Sequence, residues 1–235
     1  MTSLCLLSWF TFIIADLVFY FQYASSVYND VCAQPNGNTL VQRINRLLTD
    51  TQGFIEIVVA LPASTSPSDL LLDNELFLVP FLIQGWNSTA PQVISTVRPQ
   101  PNAYPGYSLV TTGHSLGGSL SGLAAISLKQ NFPKVMYTYG QPRTFNAVSA
   151  QFINSQFGTN AFRFFGAASS ISTVLGYRHH GVEYWQNPDP ATSDNVKQCS
   201  TTNGEDPTCS ASIPFLGIGP SHLTYYRIAA GTPFC

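Results

Sequence analysis

The sequence predicts an α/β protein with a mostly parallel central sheet and helices on both faces. Three observations predict it. Strand-like apolar runs alternate with helical segments between residues 54 and 165. A Gly-rich turn at 113–118 sits between such a strand and such a helix. The 235 residues, 45% of them hydrophobic, suit one domain with a full core.

Residues 16–30 read as a helix, since Leu17, Phe21, Ala24 and Tyr28 recur at helical spacing and Asp16 is placed to cap it. Pro35-Asn36-Gly37-Asn38 is a turn signal. Residues 39–48 are weakly helical. Residues 54–61 (FIEIVVAL) read as a buried strand. A polar loop, ASTSPSD, follows, then the apolar stretch LLLDNELFLVPFLIQGW. Residues 87–97 read as a helix, and Pro99, Pro101 and Pro105 break the chain after it. Strands are expected at 107–112, 134–139 and 161–165, and helices at 116–128 and 147–157. From 187 onward the chain is loop-like, rich in Pro, Asp, Ser and Cys. Residues 16–235 are read as one domain. Residues 1–15 are set apart.

Composition excludes several functions. Charged residues are only 9%, and the net charge is −2. Disorder needs the opposite balance. The few Lys and Arg form no basic stripe, so no nucleic-acid partner is expected. None of the five cysteines forms a C-x-x-C pair, so no metal site and no cofactor are expected. Cys32, Cys199, Cys209 and Cys235 make an even set. Cys199 with Cys209 would close a short loop, and Cys32 with Cys235 would tie an early helix to the chain end. Free buried thiols are the alternative. Asn87-Ser88-Thr89 is a glycosylation sequon, compatible with secretion. Residues 4–14 have the length of a signal-peptide core, but no Lys or Arg precedes Arg43. A signal peptide, a membrane anchor and a misassigned start all stand as readings.

Gly113-His114-Ser115-Leu116-Gly117 is a G-x-S-x-G motif with a strand before it and a helix after it. A serine on such a sharp turn projects its hydroxyl from the sheet edge. The turn crowds the positions two before and two after the serine, hence Gly113 and Gly117. The helix N-terminus brings N–H groups and a positive dipole end to the reacting oxygen. The serine needs a base. His114 lies inside the turn and reads as a packing residue. His179 and His180 sit in a loop entering a strand. His222, in the late stretch PSHLTYY, follows the serine as the base does in this motif class, and is favoured.

These residues carry a family resemblance. VTTGHSLGGSLSGLAA, YTYGQPR, GYRHHGVEYW and the tail with Cys199, Cys209, SHLTYY and Cys235 resemble the fungal class 3 lipases and related feruloyl esterases. DLVFYFQYASSVY looks like that family's first helix. The resemblance covers most of the chain from Asp16 onward. It implies an α/β-hydrolase fold and a secreted, monomeric serine ester hydrolase. The implied substrate is an acylglycerol or other lipid ester at a lipid–water interface. Ser115 matches the nucleophile and His222 the base. The Leu116 N–H would give one oxyanion donor, and Ser64 would supply the other. Residues 66–77 lie where the family keeps a mobile lid.

Three departures stand out. Ser169 occupies the position of the family's acidic residue, and no Asp or Glu occurs between Arg143 and Glu183. Glu183 lies in a strand where the family has a Glu with no such role. Asp189 and Asp194 are candidate replacements but lie in the wrong loop. Pro62 and Ala63 stand where the oxyanion turn has Arg and Gly. VPFLIQGW replaces a His-x-Gly-Phe stretch. Removing the acid from a serine protease triad costs roughly 10⁴ in kcat, about 5.5 kcal/mol. Two function classes are therefore expected to compete: an ester hydrolase, acting on lipid or on a plant cell-wall aryl ester, and an inactive lipase-like protein that binds lipid or a partner.

Overall fold

A computed structural model of the protein describes residues 2–28, 39–42, 47–49, 56–61, 78–129, 134–165, 173–187, 195–200, 202, 204–213 and 220–234. In chain order, helix α1 (Thr2–Ser26) is followed by strands β1 (Thr39–Gln42), β2 (Leu47–Thr49) and β3 (Glu56–Leu61). Helices α2 (Leu78–Val97) and α3 (Gln100–Ala103) lead to β4 (Ser108–His114) and α4 (Leu116–Leu128). Then come β5 (Lys134–Tyr139), β6 (Phe145–Asn146), α5 (Ala147–Phe157) and β7 (Ala161–Phe165). The last part holds β8 (Tyr177–Arg178), β9 (Val182–Gln186), β10 (Val196–Gln198), the one-turn helix α6 (Pro220–Leu223), β11 (Thr224–Tyr225) and β12 (Ile228–Ala229).

Among the described residues eight strands form one sheet, ordered β1-β2-β3-β4-β5-β7-β9-β10. The inner pairs β3–β4, β4–β5, β5–β7 and β7–β9 are parallel. The outer pairs are antiparallel. This is the expected mostly parallel α/β sheet.

The strand period of two divides the core between the faces. Val58 and Ala60 of β3, with Tyr137 and Tyr139 of β5, pack with Leu17, Tyr20, Phe21 and Ala24 of α1. Val59 and Leu61 point the other way, to Trp86, Val93 and Val97 of α2 and to Ala124 and Leu128 of α4. Met136 meets Ala150, Ile153 and Phe157 of α5. Each fully buried large side chain contributes about 1.5–3 kcal/mol. Polar tips fasten α1 as well: Tyr139 Oη donates to the Leu17 carbonyl at 2.6 Å and Thr112 Oγ1 to the Tyr20 carbonyl at 3.3 Å.

Several local expectations are corrected. Residues 39–48 hold two short antiparallel strands, not a helix; Leu47–Thr49 pairs with Val59–Ile57 of β3, and a ten-residue helix is marginal without such partners. Helix α1 runs through Asp16, which is therefore no cap; its carboxylate accepts a hydrogen bond from Tyr137 Oη at 3.3 Å. Helix α2 starts at Leu78, well before residue 87. The tail has α6 and short strands within its loops. The boundaries of α4, β5, α5 and β7 fall where the sequence predicts them. Asn146 caps α5, its Oδ1 accepting from the Ser149 N–H at 2.8 Å.

Candidate active site

Strand β4 ends at His114, helix α4 begins at Leu116, and Ser115 makes the turn between them. Its backbone sits at φ 54°, ψ −123°, a strained conformation for a residue with a side chain. Two bonds hold it: the Ser115 N–H donates to the Tyr139 carbonyl at 2.8 Å, and the Ser115 carbonyl accepts from the Gly118 N–H at 2.9 Å. The glycine expectation has a direct geometric basis. A Cβ on Gly113 would lie 2.2 Å from the Gly117 carbonyl oxygen and 2.8 Å from the Gly118 nitrogen. The turn lies at the carboxyl end of a central parallel strand, where open α/β sheets place their ligands.

The candidate base comes from the far end of the chain. His222, on α6, is nearly buried, and its Nε2 lies 3.0 Å from Ser115 Oγ. Burial pushes its pKa down to about 4, so the ring is neutral at pH 7 and able to take the serine proton. Among the described residues no carboxylate counters that fall. Leu116 is the first residue of α4, so its N–H has no carbonyl partner within the helix.

His114 is buried, as a packing residue would be, yet it does more. Its Nε2 lies 2.8 Å from the His222 carbonyl oxygen, which only accepts; Nε2 must therefore carry the proton. Burial, with the nearby His222 ring adding to it, pushes its pKa down to about 3, so the ring is neutral. Nδ1 then accepts from Tyr28 Oη at 2.7 Å. Tyr28, in the turn just after α1, thus reaches the backbone of the candidate base through one imidazole. No local pattern announces this, because the partners are 86 and 108 residues away in the chain.

Glu183 is not part of the site. It is buried on β9 and paired with Arg163 of β7 at 2.9 Å, and it accepts from the Ser210 N–H at 3.1 Å. Cys199 and Cys209 are disulfide-bonded, as expected. Ser64, Ser169, Pro62, Ala63, Asp189, Asp194, Cys32, Cys235 and the expected lid 66–77 lie outside the described residues. An apolar cavity of about 570 Å³ flanks α4, lined in part by Leu123, Ile126, Phe145, Phe152 and Leu175.

Sheet, turn and base together define an α/β-hydrolase. The family described as Lipase (class 3) matches residues 49–173. The secreted alkaline triacylglycerol lipase of Penicillium cyclopium is 25% identical over 90% of this chain and 83% of its own length. Secreted mono- and diacylglycerol lipase 1 of Fusarium solani is 32% identical over 63% of this chain and 46% of its own. The lipase of Rhizomucor miehei, solved as a complex with its propeptide, superposes with a TM-score of 0.78 at 22% identity. That match covers 94% of this chain and 82% of the other, a likeness that speaks for the fold. The chain belongs to the class 3 lipase family, whose reaction is carboxylic-ester hydrolysis.

Proposed function

We propose that the protein is a serine lipase acting on acylglycerol esters at a lipid–water interface, with Ser115 as nucleophile and His222 as general base. The observation that carries this is the 3.0 Å contact between His222 Nε2 and Ser115 Oγ, on a strained turn that projects the hydroxyl. His222 takes the serine proton as Oγ attacks the ester carbonyl carbon. The tetrahedral oxyanion is held by the Leu116 N–H and by a second donor from Ser64. His222 then gives its proton to the departing alcohol, and water repeats the sequence in reverse. The secreted relatives, the Cys199–Cys209 bridge and the exposed Asn87 of the sequon support an extracellular enzyme. No helix among the described residues is long and apolar enough to cross a membrane.

The test is hydrolysis of p-nitrophenyl butyrate by the wild type and by Ser115→Ala. The wild type is expected to turn over and the variant to fall to background; equal rates overturn the assignment. Rates on tributyrin and methyl ferulate, side by side, separate a lipid ester from a cell-wall aryl ester, with tributyrin expected to be faster. One observation favours a second reading, an inactive protein that binds lipid or a partner: Ser169 stands in the sequence where the family's acidic residue is expected. That reading predicts vesicle binding with no fluorophosphonate labelling of Ser115. Stoichiometric labelling at Ser115 rules against it.

A further inference from the structure

The apolar cavity beside α4 has no part in the reaction proposed above. Its walls come from α2 (Ile83), the second half of α4 (Leu123, Ile126), β6 and α5 (Phe145, Phe152) and the turn at Leu175. None of the residues lining it is charged. Two of its polar side chains are spent inside the fold: Asn146 Oδ1 accepts from the Ser149 N–H at 2.8 Å, and Thr144 Oγ1 lies 2.7 Å from Ser119 Oγ. Its volume of about 570 Å³ falls within the range of about 300–1,000 Å³ at which sites take a small ligand.

The rim is apolar as well. Seven large hydrophobic side chains are exposed among the described residues. Ile83, Phe152 and Leu175 line this cavity, Val148 lies one turn before Phe152 on α5, and Val174 precedes Leu175. Apolar residues exposed singly need no explanation, but a group of them around one concavity marks a binding surface. The charge nearby has one sign. No Asp or Glu occurs between Glu75 and Glu183, the stretch that supplies every lining residue. Arg178 spends its guanidinium on the Thr173 and Tyr177 carbonyls, at 2.8 and 2.7 Å. Lys129, just past the end of α4, sets Nζ 4.6 Å from the centre of the Phe152 ring and donates to the neutral Gln156 Oε1. Among the described residues no carboxylate is paired with it.

We propose that this groove binds a free long-chain carboxylic acid, its chain lying between α2, α4 and α5 and its carboxylate meeting Lys129. An apolar concavity with an uncompensated cation at its lip is complementary to a ligand with a hydrocarbon tail and an anionic head. Alcohols and intact acylglycerols lack the anion and are discriminated against. The site is distinct from Ser115, because α4, 13 residues long, puts roughly 20 Å between that serine and Lys129. Such an acid is what the proposed hydrolysis would release, but the assignment does not rest on that reaction, since binding is read without turnover.

The experiment titrates dodecanoate, with 1-dodecanol as the uncharged control, into the wild type, Lys129→Gln and Ser149→Trp by calorimetry. Ser149 is part-buried in the cavity wall, and Trp there fills the groove from the surface of α5. The wild type is expected to bind dodecanoate, and dodecanol about fivefold more weakly. Lys129→Gln should abolish that preference, the worth of one exposed ion pair, and Ser149→Trp should weaken dodecanoate at least tenfold. Methyl resonances of Ile83 and Ile126 should move as dodecanoate is added, and these stand as the test with Lys129→Gln if Ser149→Trp does not fold. An affinity unchanged in both variants, methyl shifts that leave Ile83 and Ile126 untouched, or equal affinity for acid and alcohol overturns the proposal. Binding to vesicles of anionic phospholipid with none to monomeric dodecanoate also overturns it, in favour of a face that docks on membranes. A protein that hydrolyses no ester yet keeps the Lys129-dependent preference loses the proposed reaction and keeps the groove.

Discussion

The two faces of the central sheet are built from different materials. The face under α1 is made of aromatic rings, many with hydroxyls. Tyr20 stacks on Tyr137 at 4.3 Å, Tyr137 on Phe162 at 4.9 Å, and Phe21 lies 4.9 Å from both Tyr139 and Tyr225. On the other face the covering helix α4 lies close because its own buried side is made of small residues: Gly117, Gly118, Gly122, Ala124 and Ala125. A Cβ on Gly118 would come within 3.0 Å of Gln141 Cβ, and one on Gly122 within 3.1 Å of the Phe145 ring. The difference sorts the two halves of the proposed catalytic pair. The nucleophile depends on bare backbone, because its turn exists only if α4 lies close to the sheet. The base depends on rings with polar tips, because Tyr28, His114 and Tyr225 gather around it from the α1 side.

That contrast can be broken most severely on the glycine face. Gly113→Ala puts a methyl 2.2 Å from a carbonyl oxygen of the main chain, which has nowhere to go. The expected result is loss of about 4 kcal/mol or more and no esterase activity, read by thermal unfolding and p-nitrophenyl butyrate hydrolysis. Gly122→Ala meets only the Phe145 ring and should cost far less, which sharpens the point.

Acid gives the next largest effect. Burial holds His114 and His180 at about 3 and His222 at about 4, below the unfolded value of 6.5. The folded protein therefore binds fewer protons than the unfolded chain over that window. Stability from this source is full above pH 6.5 and drains as pH falls towards 4, by about 1.4 kcal/mol per histidine per pH unit. Asp16, whose carboxyl burial holds above its usual range, works in the opposite sense. A Tm at pH 5 lower than at pH 7 by on the order of 10 °C is expected. A flat Tm over that range would mean that these rings are hydrated.

The smallest of the three changes acts on the aromatic face alone. His114→Phe keeps a ring but removes both hydrogen bonds, freeing the His222 carbonyl. We expect kcat to fall roughly tenfold to a hundredfold, as when a catalytic group is misplaced by a fraction of an ångström. Activity equal to the wild type would show that α6 holds the base unaided.

Much of this was legible from residues close in sequence. The Ser115 turn, its glycines, α4, α5 and the disulfide between Cys199 and Cys209 all follow from local pattern or short spacing. What stayed hidden depends on partners far along the chain. Residues 39–48 carry no strong period, and β3 decides their pairing. His114 reads as filler until Tyr28 and His222 are brought to its two nitrogens. Asp16 reads as a cap until α1 is found to run through it.

The loop between Cys199 and Cys209 looks, in sequence, like surface trimming. Its interior does otherwise. The Gly204 carbonyl accepts from Arg163 Nη2 at 2.7 Å, and a Cβ there would lie 2.4 Å from the His179 carbonyl oxygen. Next to it, Glu205 grips Arg143 through two contacts of 2.8 and 2.6 Å and accepts from the His179 N–H at 2.7 Å. A short covalent ring thus delivers the counter-charge of Arg143 and a carbonyl acceptor for Arg163, whose own counter-charge is Glu183, and removing one partner of a buried ion pair costs about 3–5 kcal/mol. For anyone engineering this enzyme, that ring is the wrong place for a tag, a graft or a deletion: it is a keystone that resembles ornament.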